Sequence, residues 1–238
     1  MRRVFFLLFL AIHLTCHAHV TIKNRLAHSS PGDYVVTEQG GTYSLMLIRS
    51  VDEMHLILEE VSVQPSNIDL KKINWKKWVE NGAPGAISWS SMVFDLSKSQ
   101  LTQCYSHLDK QWFFIDDSDY FVKQLFEMPL RPTRDNERKR IGAPPNPGEI
   151  DRRRLWKPQL IREGNREKSA DFEVMRTKWP ADKSKLAGCI FELYLDAKNT
   201  TFPFPYWMEV QHPHYTFKIR TLDSGKGMIS PMPLLKTK

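Results

Sequence analysis

The sequence predicts a mainly β fold, with α+β as the alternative: a sandwich-like, strand-rich body with two short helices and an extended Pro/Arg-rich strap. Three observations predict it. Short runs rich in Val, Ile, Leu, Tyr and Phe recur along the chain, bounded by Gly, Pro, Asn and Asp, as in hairpin-connected strands. Only two segments place apolar residues at helical spacing. Between residues 129 and 170 both patterns stop, and prolines stand at 129, 132, 144, 145, 147 and 158 among crowded charges.

The N-terminus comes first. Arg2 and Arg3 precede an apolar run from Val4 to Ile12, and Cys16-His17-Ala18 supplies small residues at a cleavage site. Residues 1–18 therefore read as a signal peptide removed near Ala18, which makes the mature protein secreted or periplasmic. The run is too short for the roughly 20 apolar residues of a bilayer span. Acylation of Cys16 is the lipoprotein alternative, against which Thr15 and His13 depart from the usual small residue and Leu. No later stretch is apolar enough to span, so no transmembrane segment is expected in the mature chain.

Residues 19–128 form an N-terminal β-rich region holding both helices. Its β signal runs from Val20 to Val63, with turns at Gly40-Gly41 and at Val51-Asp52-Glu53. Trp75, Trp78 and Val79 share a helical face between Asn67 and Asn81, and Gly82 and Pro84 end that helix. Strands follow over 87–96, 101–105 and 111–115. The second helix, 119–128, lines Phe121, Leu125 and Met128 along one face and stops at Pro129.

Residues 129–170 read as a basic proline-rich strap or linker. Ile141, Ile150, Leu155, Trp156, Leu160 and Ile161 recur along it and are expected to anchor it to the body. Residues 171–238 return to β, packing with 19–128 as one domain or standing apart. Strands are expected over 172–178, 189–195, 205–210 and 215–221, with a surface tail from Gly225.

Charge separates the strap from the rest. The formal net charge is +7, two units of which belong to Arg2 and Arg3. Residues 131–168 carry twelve Lys/Arg against six Asp/Glu, so the strap holds all the net positive charge of the mature chain. Arg138, Lys139 and Arg140, with Arg152, Arg153 and Arg154, are the candidate binding residues. An arginine fork grips carboxylate, phosphate and sulfate in pairs. The partner classes are an anionic glycan, a lipid headgroup or an acidic protein surface; export makes nucleic acid an unsuitable partner. The competing reading pairs these cations internally with Asp135, Glu137, Glu149 and Asp151.

Cys104 and Cys189 are the only cysteines after cleavage. In an oxidising compartment an even pair suggests a disulfide, and spacing alone leaves two buried thiols as the alternative.

No G-x-S-x-G, S-x-x-K, H-E-x-x-H or phosphate-loop signature is present. Asp116, Asp117 and Asp119 fit the start of a helix better than a calcium loop. Cleavage after Ala18 would make His19 the first residue, and an N-terminal amine with its imidazole chelates copper. His212 and His214, in the turn His212-Pro213-His214, complete the candidate metal residues. A β-sandwich that begins with His resembles lytic polysaccharide monooxygenases and small periplasmic copper carriers. That resemblance implies a copper-binding redox role; otherwise no cofactor is expected. The leading expectation is an exported, non-catalytic binding or structural protein of the envelope or extracellular space. Copper redox through His19 is the first alternative and a hydrolase with a dispersed site the second.

Overall fold

The computed structural model describes residues 20–116 and 118–236. The signal segment, Cys16, His19 and Asp117 lie outside the described residues.

Six strands make a first arm: β1 (Tyr34–Gln39), β2 (Thr42–Val51), β3 (His55–Val63), β4 (Ala86–Asp95), β5 (Gln100–Ser106) and β6 (Gln111–Phe113). The second arm holds β7 (Arg131–Pro132), β10 (Phe172–Lys178), β11 (Ile190–Asp196), β12 (Trp207–His212) and β13 (Tyr215–Gly225). A separate two-stranded hairpin is formed by β8 (Ile161–Arg162) and β9 (Asn165–Arg166). Antiparallel pairing of β1 with β13 joins the arms into one sheet, ordered β6-β5-β4-β3-β2-β1-β13-β12-β11-β10-β7 among the described residues. The mainly β reading therefore holds, as one continuous antiparallel sheet.

Three α-helices lie against the sheet: α1 (Ile22–Ala27), α2 (Trp75–Glu80) and α3 (Ser118–Glu127). The expected β signal at 20–30 is replaced by α1. Thr21 caps it, accepting the Asn24 N–H at 3.1 Å, and Leu26 is buried beneath it. Asn74 caps α2 by accepting from Lys77 N at 3.0 Å. At its end Gly82 takes φ +79°, which lets its N–H reach Val79 O and the Ala83 N–H reach Trp78 O, at 2.9 and 2.8 Å.

The two faces are covered differently. On the inner face Ile48, Leu58, Met92, Phe94 and Leu101 of the first arm pack against Val122, Leu125 and Phe126 of α3. On the second arm Trp179, Phe191 and Val210 pack against Leu125 and Met128, and Met175, Leu193 and Leu195 against Val20, Ile22 and Leu130. The sheet thus bends so that both arms meet α3. A bulge leaves Leu222 unpaired between Val36↔Asp223 and Thr37↔Thr221, where the arms join.

The outer face of the first arm carries Tyr43, Leu45, Val61 and Trp89 under Trp75 and Trp78 of α2. Met228 joins that cluster, so the C-terminal tail is packed as well as superficial. On the second arm the strap packs on Tyr194 and Trp207, and its Leu160 belongs to the cluster that also holds Val122 and Phe126 of α3. Trp156 meets Tyr194 and Trp207 edge-on at 5.3 and 5.1 Å, and Ser224 donates to Ile161 O at 2.8 Å.

Candidate functional site

The strap residues divide. Arg140 and Leu155 form an antiparallel bridge, and Ile141 N and Trp156 N bond to Arg154 O and Lys139 O at 2.9 and 2.8 Å. Residues 141–154 are therefore a closed loop standing off the sheet. Lys139 pairs with the buried Glu209 and lies 5.7 Å from the Trp156 ring centroid. Arg153 grips both oxygens of Asp151, at 3.0 and 2.9 Å, and Arg140 approaches the same carboxylate at 3.4 Å. Arg138 is turned inward, with Nη1 3.7 Å from Asp135. Arg152 and Arg154 are exposed, with no ion-pair partner among the described residues. The expected row of six thus splits into internal partners and two outward arginines. Ile150, expected as an anchor, is 78 % exposed. Alternation turns it outward, because Asp151 and Arg153 take the inward positions beside it.

Cys104 and Cys189 are both buried free thiols, in place of the expected disulfide. Cys104 sits in β5 and Cys189 next to β11, with β4, β3, β2, β1, β13 and β12 between those strands in the sheet. Burial pushes the Cys104 thiol up to about 11.

His212 and His214 flank the β12–β13 turn. His212 stacks on Tyr215 at 4.5 Å and accepts the His214 N–H on Nδ1 at 3.2 Å, so the imidazoles serve the turn. No group of three or more His, Cys, Asp or Glu suited to a metal occurs among the described residues. Asp119 lies in the first turn of α3, as its charge favours.

One polar cluster has the residue types of a hydrolase. Ser91 Oγ is 2.7 Å from His107 Nε2, and Glu59 lies 3.4 Å from Ser91 Oγ and 4.0 Å from the same Nε2. A relay would need the carboxylate on Nδ1, opposite the serine. Here both partners crowd one nitrogen. Glu59, Ser91 and His107 are at most 9 % exposed. Glu59 also pairs with Arg49 and accepts from Trp89 Nε1 at 3.2 Å. This is a satisfied buried network that fixes the β2–β5 arm.

The concavity with binding character lies beneath α3. A cavity of about 790 Å³ opens between α3, the inner ends of β4 and β5, and the segment after β10. Met92, Phe94, Leu101, Ile115, Phe121, Val122, Leu125, Phe126 and Trp179 make its walls. Polar groups gather at its mouth: Ser118, Tyr120, Asp182, Lys183 and Ser184. A second concavity of about 830 Å³ shares Leu101, Ile115, Asp116, Ser118 and Tyr120 with it, which makes the two contiguous. Phe114, which borders the second concavity, is 95 % exposed.

Local chemistry builds this cavity. Phe94 packs on Phe126 at 5.4 Å and Phe121 stacks on Trp179 at 5.4 Å, so α3 is held at both sides. Asp182 accepts from Tyr120 Oη at 2.7 Å, Trp179 Nε1 at 2.8 Å and Ser184 Oγ at 2.7 Å. Those bonds, Tyr120's first, hold its carboxyl well below the usual carboxylate range, so it remains a charged acceptor. The sequence showed the apolar face of α3 alone; the apolar Phe114 and Ile115 just before the helix were the available signal for the site.

A family model described as CT021 protein matches residues 44–168. The 2.0 Å structure of the hypothetical protein CT021 from Chlamydia trachomatis is similar, with TM-score 0.64 at 20 % identity. The match covers 92 % of this chain and 98 % of that one, and at this identity it shows the shared fold. No curated protein matches the chain.

Proposed function

The chain belongs to the CT021 protein family, and from its geometry we propose that it is an exported, non-catalytic binding protein that holds an apolar, chain-like ligand beneath α3. The observation that carries this reading is the apolar cavity of about 790 Å³, contiguous with a concavity bordered by the exposed Phe114. Ligand sites are typically clefts of about 300–1,000 Å³ with apolar walls and few polar groups. Exposed apolar surface at such a rim is costly unless something covers it. Export rests on the Arg2-Arg3 and Val4–Ile12 pattern. The basic strap, none of whose residues lines that cavity, serves an anionic partner.

A hydrocarbon fits because the polar groups sit at the mouth. Its chain would lie along the walls made by Met92, Leu101, Ile115 and Val122, and a polar end would meet Tyr120, Lys183 and Ser184. The experiment is titration of the purified secreted protein with a fluorescent long-chain fatty acid. Met92→Trp, which adds bulk inside the cavity, should weaken binding about tenfold or more while the protein stays folded. Leu101→Trp should do the same from the neighbouring strand. No saturable binding by the unaltered protein, or equal binding by all three forms, would overturn the reading.

A further inference from the structure

We propose that the outer face of the strap is a docking surface for an anionic lipid bilayer. This inference rests on the reading of the strap as an anion-facing element and names its partner.

Exposure along 150–154 alternates outward and inward. Extended backbone sends residues i and i+2 to one side. Ile150, Arg152 and Arg154 therefore form one outward row, while Asp151 and Arg153 close on each other at 2.9 Å. Arg153 also donates to Gly142 O at 2.8 Å, which fastens the loop across its width. The inward ion pair supplies rigidity and the outward arginines remain free.

Arg154 continues into a groove of about 1,120 Å³ between the strap and residues 166–171. Arg166 and Lys168 line it without ion-pair partners among the described residues, and Lys157 is paired with Asp171 at 2.9 Å. Ile141 lines the same groove and is 53 % exposed. The surface thus offers cations beside two isoleucines that nothing in the fold covers. A soluble polyanion would use the cations and leave Ile141 and Ile150 in water. A bilayer with anionic headgroups uses both, since apolar side chains enter the interface while basic ones stay at headgroup level.

The test is co-sedimentation of the purified secreted protein with vesicles of phosphatidylcholine alone and of phosphatidylcholine with phosphatidylglycerol. Binding should require phosphatidylglycerol and fall with added salt. The double variant Arg152→Ser/Arg154→Ser should bind these vesicles at least about tenfold more weakly, from the attraction of each basic residue to an anionic surface. Ile141→Ser/Ile150→Ser should weaken it about fivefold or more and leave elution from heparin unchanged. All four positions are solvent-facing or half-buried, so thermal midpoints should hold. If the isoleucine variant binds vesicles as the parent does while heparin competes fully, the partner is a soluble polyanion and the inference is overturned. Unchanged vesicle binding by the arginine variant overturns it equally. Fatty-acid titration of the same variants separates the two readings: loss there alone would be a failure of the α3 cavity, since no strap residue lines it.

Discussion

Tyr120 donates its hydroxyl to Asp182 at 2.7 Å, tying the first turn of α3 to the segment after β10 across the mouth of the apolar cavity. The same carboxylate accepts from Trp179 Nε1, so one acid fixes both the helix and the cavity wall. Asp182 is therefore a closure for the mouth, and Tyr120 is the half of it that can be released without disturbing the wall.

Tyr120→Phe removes the hydroxyl and keeps the ring. Dissociation of a bound fatty acid, followed by stopped-flow displacement, should accelerate several-fold, while the thermal midpoint shifts little because Tyr120 is 46 % exposed. An unchanged dissociation rate would show that the mouth does not gate the ligand.

The Ser91–His107–Glu59 network sets a pH dependence. Burial, and then the Arg49 charge, lower the His107 pKa, so the folded protein holds a neutral imidazole. The unfolded chain takes up a proton near the ordinary histidine value of about 6.5. Stability is therefore fully present above about 6.5 and declines as pH falls below it, down to the lower folded pKa. Denaturant midpoints between pH 7.5 and 5 should show this decline. His107→Gln should flatten it, at a lower stability throughout because the Ser91 contact is imperfectly replaced.

The strap has a different window. The hydrogen bond from Arg153 holds the Asp151 carboxyl down to about 2, so this contact persists well into acid. Being a depressed carboxylate, it contributes above the unfolded value of about 3.9 and is lost as pH falls through about 2. Hydrogen exchange at Ile141 N, which bonds to Arg154 O, should stay slow at pH 4. Asp151→Asn should speed it at pH 4 with little effect on the sheet.

Gly32 meets the C-terminal tail. Its φ is +89°, and a Cβ there would lie 2.9 Å from Gly227 Cα and N, both backbone atoms. Strain and overpacking each cost about 1–3 kcal/mol. Gly32→Ala should destabilise the protein by about 2–4 kcal/mol and loosen the tail that carries Met228. A change under about 1 kcal/mol in a denaturant titration would mean that the tail does not constrain β1.

Much of the fold was legible because strand alternation and turn residues are local. The strands at Tyr34–Gln39, Thr42–Val51 and His55–Val63, α2 with its Gly82 stop, and α3 with its Pro129 stop all follow from spacing. The short α1 was hidden because it spans only six residues and depends on Leu26 packing inward, a tertiary contact. The β1–β13 pairing brings Val35 against Ser224, a contact far too distant in sequence for spacing to show. The candidate site was hidden for the same reason. Phe94 falls in an expected strand and Phe126 in an expected helix, and the cavity they line with Trp179 exists only once those elements are assembled. In the strap, composition marked the cations but could not tell Arg153, spent on Asp151, from Arg152 and Arg154, which are free to act outward.

The most direct measurement is photo-crosslinking of the purified protein with a fatty acid carrying a diazirine near the end of its chain, followed by peptide mass spectrometry. The account predicts adducts in α3 and in β4 and β5, around Met92, Leu101, Val122 and Phe126, suppressed by Met92→Trp. Adducts confined to residues 139–171, or none that unlabelled fatty acid can compete away, would contradict it.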